Sequence, residues 1–230
     1  MKHQPATKLP SDNESWWSTV DEFTNRETAL VRQLDWAGAE RLAREYFEKA
    51  ESAYAAALFA QSRATSLAAL GRDTESLEAN ELAERLAPLE PYFKLNLARR
   101  LTGEFGRPAD GLAKLAEAEP LLAPDMRAGW LTEKGLALLA LGRDAEAVEC
   151  FRELTSPERL TRMRNWDRLF LVDLRLVSGL VARRLALEPS IAYLEAAEAI
   201  GIRHDSDRLG SVRQLLDAAR GAGRAGATHG

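Results

Sequence analysis

Apolar residues recur every three or four positions along most of the chain, the spacing of amphipathic helices. The pattern is clearest in ALGRDAEAVECFREL, residues 140–154. It reads as the end of one helix, a turn at Gly142–Arg143–Asp144 and the start of a second. Gly142 suits the positive φ that a short helix–helix turn needs. Ala147, five residues on, is small enough to let two helices approach, and Phe151, nine residues on, is the apolar knob between them. The same figure occurs around Gly71 and Gly106. Glycines 71, 106 and 142 therefore mark a period of about 35 residues, the length of a stacked helix pair. Ala and Leu dominate the apolar positions and β-branched residues are few, so the expected fold class is all-α.

Taken in order, residues 1–10 hold two prolines and no periodicity, and are expected to be disordered. Ser11 and Glu14 have the spacing of a capping box, opening a helix to about Asp35 that carries Trp16, Trp17, Val20 and Phe23. Gly38 reads as the start of the second helix, with Ala43 and Phe47 at the same five- and nine-residue offsets. Helices follow at Ser52–Leu70, Thr74–Leu86, Tyr92–Leu101, Pro108 to near Leu122, Met126–Leu141 and Ala145–Leu154, with Pro120 disturbing the sixth. About four pairs thus occupy 11–157. Residues 158–220 read as a longer, degenerate pair with capping helices: Arg162–Leu187, Pro189–Ile200 and a more polar Asp205–Ala219. The Gly/Ala-rich residues 221–230 are expected to be disordered.

The Gly–Ala–Phe spacing, the length of the pairs and a Pro near each pair's end resemble the tetratricopeptide repeat (TPR) family. Gly135, Gly142, Ala147 and Phe151 carry the closest match. Around Gly71 the matching residues are Ala64, Gly71, Ala83 and Pro88, while Ser76 and Asn80 replace the small and the large apolar residue. Around Gly106, Gly111 and Leu115 stand at those two places. The resemblance implies an α-solenoid of antiparallel helix pairs, a right-handed superhelix whose first helices line a concave surface that holds a peptide, a helix or another protein. The family's groove-facing places fall on Asn25, Thr28 and Arg32, on Gln61 and Thr65, on Phe93, Asn96 and Arg100, and on Thr132 and Leu136. One subclass grips a terminal carboxylate with a Lys/Asn/Arg clamp. Here the first unit lacks the Lys, and Gln61 or Thr65 stands where the Asn is expected.

Charge adds an alternative. The formal net charge is −4, but residues 1–154 carry 19 basic and 26 acidic side chains, about −7, and residues 155–230 carry 12 and 9, about +3. The basic excess gathers at Arg159, Arg162, Arg164 and Arg168, a candidate contact for nucleic acid or an acidic partner. Long Arg stems covering an apolar helix face would give the same pattern.

No constellation suggests an enzyme. His3, His204 and His229 are scattered, no His/Cys pair has metal-ligand spacing, and no phosphate-binding glycine loop follows a strand. Asp205 and Ser206 read as a helix cap beside His204, and Cys150, the one cysteine, as a buried apolar residue. No cofactor is expected. With no disulfide to form, no apolar run long enough to span a bilayer and no apolar segment behind Lys2, His3 and Lys8, the expected location is cytoplasmic, with no membrane partner. The reading is a non-catalytic interaction scaffold or adaptor for a protein or peptide partner. Its rivals are a regulatory protein contacting nucleic acid through the Arg159–Arg168 region and a homo-oligomer joined through Trp16 and Trp17.

Overall fold

The computed structural model describes residues 16–156, 167–203 and 208–227. All regular structure among them is helical. The helices are α1 (Trp16–Arg32), α2 (Trp36–Glu48), α3 (Ala53–Ala69), α4 (Asp73–Leu86), α5 (Pro91–Gly103), α6 (Pro108–Ala118), α7 (Arg127–Ala140), α8 (Asp144–Leu154), α9 (Asp167–Ala182), α10 (Leu187–Arg203) and α11 (Leu209–Ala227). Two 3₁₀ turns, Glu119–Leu121 and Pro124–Met126, separate α6 from α7. Pro120 lacks an amide hydrogen, and there the α-helix gives way to the first of these turns.

The turns at Gly71 and Gly142 share one construction. Gly71, Gly106 and Gly142 take φ of 71°, 60° and 72°. The amides of Arg72 and Arg143 donate to the carbonyls of Leu67 and Leu138, each at 2.9 Å, closing the end of α3 and α7. This is the six-to-one bond that a left-handed residue makes at a helix C-terminus. The same closure occurs where no glycine stands. Leu34 has φ 59° with Asp35 N donating to Leu30 O, and Arg184 has φ 56° with Leu185 N donating to Leu180 O. A small buried residue follows four of these turns at the same five-residue offset: Ala39, Ser76, Gly111 and Ala147. Ser76 fits this tight place because its hydroxyl donates to the carbonyl of Ala64 at 2.8 Å.

The first turn corrects the placement of Gly38. That residue lies inside α2, and its amide is capped by the Asp35 carboxylate at 2.8 Å. The turn sits one helical turn earlier, at Leu34, and the core ring of α2 is Tyr46, with Phe47 half-buried. At the other end, α11 runs to Ala227, past the expected stop at Ala219.

The chain divides into two compact units, Met1–Glu104 with Ala116–Leu121, and Phe105–Leu115 with Leu122–Gly230. In the first, α1 to α4 each pack on the next helix in sequence. Phe23, Tyr46 and Phe59, from α1, α2 and α3, meet edge-on or tilted with centroids 4.8–5.6 Å apart, contacts worth about 0.5–1.5 kcal/mol per pair beyond burial. Lys94 is buried and pairs with Glu84 at 2.7 Å and Glu117 at 3.0 Å. In the second unit α7 packs on both α8 and α9, and α9 on α10 and α11. Trp130 is buried, with its indole N–H donating to the Leu115 carbonyl at 2.8 Å and Arg127 and Lys134 each 4.4 Å from its ring. Phe151 meets Tyr193 edge-on at 5.9 Å.

Candidate functional site

One open pocket of about 510 Å³ lies in the first unit. It is built by helical periodicity. α1 presents Val20, Phe23, Thr24, Glu27, Thr28, Val31 and Arg32, one face at steps of three and four. α3 adds Leu58, Gln61, Ser62 and Thr65 at the same steps, and α5 adds Tyr92, Asn96 and Arg99. Trp36 at the start of α2 completes the lining. α1, α3 and α5 therefore each turn one stripe to the same space.

The lining is mixed. Val20, Val31, Trp36, Leu58 and Tyr92 give it apolar wall, and Tyr92 is an exposed aromatic. Gln61 is only 6% exposed, and its Oε1 has no hydrogen-bond partner. Asn96 Nδ2 is likewise buried and unpartnered. Such an atom costs about 1–3 kcal/mol until something bonds it. Glu27 accepts a hydrogen bond from the Ser62 hydroxyl. Burial raises the Glu27 carboxyl above its ordinary range, and the Ser62 bond opposes this only in part. Arg32 and Arg99 are exposed and form no ion pair among the described residues.

Of the ten residues named from sequence, Thr28, Arg32, Gln61, Thr65 and Asn96 line this pocket. Asn25 is exposed on α1 outside the lining. Phe93 is fully buried, with Tyr54 and Tyr92 at 6.0 and 5.4 Å. Arg100 is buried too, donating to Glu104 at 2.5 Å and to Thr65 at 3.3 Å. Thr132 and Leu136 lie on α7 in the second unit. Thr132 is buried and donates to the Ala128 carbonyl at 3.1 Å, and Leu136 is half-buried. Glu27, Ser62, Arg99, Trp36 and Tyr92 were not named from sequence. Glu27 is next to Thr28, and Ser62 and Arg99 lie within three residues of Gln61 and Asn96, so the three stripes were the available signal.

Arg159, Arg162 and Arg164 lie outside the described residues, and Arg168 is in the first turn of α9. Among the described residues no group of His, Cys, Asp and Glu is disposed to hold a metal ion. Cys150 is buried on α8, and burial pushes its thiol pKa up, away from a reactive thiolate. No helix among the described residues is long and apolar enough to cross a membrane.

The fold is all-helical among the described residues, with helices packed on sequence neighbours, and α1, α3 and α5 line one open pocket. Compared with family models, curated proteins and solved structures, the chain matched none.

Proposed function

We propose that the chain is a non-catalytic protein-interaction module that holds a peptide or helical segment against α1, α3 and α5. The observation that carries this reading is the convergence of three helix faces on one pocket that mixes apolar wall, unpartnered amides and unpaired Arg side chains. An apolar wall with a few convergent polar groups is the common anatomy of a recognition site. Amides suit a partner's main chain, and Arg suits its carboxylates. The recurring left-handed turn at 34, 71, 106, 142 and 184 supports a tetratricopeptide-like construction of the hairpins. In such a construction the first helices carry the partner.

The test is a displayed peptide library selected on the purified chain, with binders measured again on Thr28→Trp. Thr28 is exposed on α1, so the indole fills the pocket without entering the core. Selected peptides are expected to lose at least tenfold in affinity on the blocked chain. Peptides that bind both chains equally, or a selection that enriches nothing, would overturn the proposal.

A further inference from the structure

Deepening the proposed function, and resting on it, we infer that the α1/α3/α5 pocket takes an acidic peptide segment by its interior, not by its terminus. Two lining residues carry a buried, unmet amide atom, the acceptor Gln61 Oε1 and the donor Asn96 Nδ2. A peptide group supplies both complements, an N–H and a C=O. A carboxylate supplies only acceptors, so at this amide pair it would satisfy Asn96 and face Gln61 Oε1 unpaired. It would also meet Glu27, which lines the same pocket and has Ser62 as its hydrogen-bond partner. The main chain of the ligand therefore runs past Gln61 and Asn96.

The acidic side chains go to Arg32 and Arg99. Both line the pocket, both are exposed, and neither is neutralised among the described residues. Arg26, Arg72 and Arg85 of this unit are occupied by Glu22, Glu75 and Glu81, and Arg41 and Arg44 on α2, exposed and unpaired among the described residues, do not line the pocket. An unpaired pair of guanidiniums on one pocket, in a unit whose surface is otherwise rich in carboxylates, selects a partner of negative charge. Apolar side chains of that partner pack against Val31, Trp36 and Leu58. A polyphosphate backbone fits less well, since it brings no apolar group to that wall and would meet Glu27.

The probes are short, N-acetylated and C-amidated peptides that alternate leucine with glutamate, with glutamine or with lysine, each fluorescently labelled and followed by anisotropy. The glutamate peptide is expected to bind roughly tenfold tighter than the lysine peptide, the size of two exposed charge pairs. That advantage should disappear in Arg32→Gln/Arg99→Gln, whose substitutions are at the surface. Gln61→Met, which keeps the side chain's length and removes the acceptor, should weaken the glutamate and glutamine peptides alike, with the thermal melt confirming that the variant folds.

Equal binding of all three peptides, lost on Thr28→Trp, overturns the acidic assignment and leaves the pocket reading standing. Binding that survives Thr28→Trp overturns both. Preference for a glutamine peptide with a free C-terminus over its amidated form overturns the interior mode in favour of terminal capture. Displacement of the glutamate peptide by single-stranded nucleic acid at equal concentration, or no binding of any peptide, also overturns the inference.

Discussion

A Cβ built on Gly135 of α7 would stand 2.8 Å from both methyl groups of Leu176 on α9. The reverse contact is present as well: a Cβ on Gly179 would stand 2.8 Å from a methyl of Leu139. Two glycines thus let two helices of the second unit approach with leucines seated over them. Glu133 of α7 and Arg175 of α9 add an ion pair beside this contact.

Gly135→Ala should therefore destabilise the chain by about 1–2 kcal/mol, because overpacking outweighs alanine's better helix propensity. Gly221→Ala is the control. Gly221 is exposed in α11 with nothing within 4 Å of its Cβ position, and the change should stabilise by about 0.5–1 kcal/mol. Denaturant midpoints of the two variants check the opposite signs.

Leu34→Gly should stabilise the chain by about 1 kcal/mol. Leu34 holds φ 59° at the α1–α2 turn and is 73% exposed, so it has strain to release and little packing to lose. Gly142→Leu at the matching turn should lose stability by a similar amount. Urea titration of both variants measures this, and a destabilised Leu34→Gly would contradict it.

These two positions show what the sequence could and could not disclose. The turns at 71, 106 and 142 were legible because glycine marks a left-handed backbone. The turn at 34 was not, because a leucine occupies it and the nearest glycine, Gly38, stands one helical turn on. Four residues is nearly a whole turn, so the helical phase was kept and Ala43 still faced the core. On α5 the pocket-lining face was legible at Asn96 but not at its neighbours. Phe93, Leu97, Arg100 and Leu101 form the buried stripe, which turns Arg99 to the pocket and Arg100 inward. The family resemblance put Arg100 on the groove face, and the Thr65 hydroxyl that helps to hold it inward lies 35 residues away.

Trp130→Phe should cost about 1–3 kcal/mol. It removes the buried bond from the indole N–H to the Leu115 carbonyl and shrinks the ring between Arg127 and Lys134. Thermal or denaturant unfolding reads the loss, and an unchanged midpoint would show that the indole contributes nothing beyond its bulk.

Glu27→Gln should stabilise the chain near neutral pH, with the gain fading in acid. Burial raises the Glu27 carboxyl above its unfolded value. Its contribution is thus most favourable below the ordinary carboxylate range and is lost as pH rises through the raised value. Glutamine is neutral throughout and can still accept from Ser62. Melting temperatures of the two proteins should converge at low pH and separate at neutral pH. A gap independent of pH would contradict the assignment.

The pocket is tested most directly by hydrogen exchange of the full chain with and without a peptide selected from the library. The account predicts slowed exchange in the segments of α1, α3 and α5 that face the pocket, around Thr28, Gln61 and Asn96, and none of it in Thr28→Trp. Protection confined to α7–α11, or the same protection in the blocked chain, would contradict it.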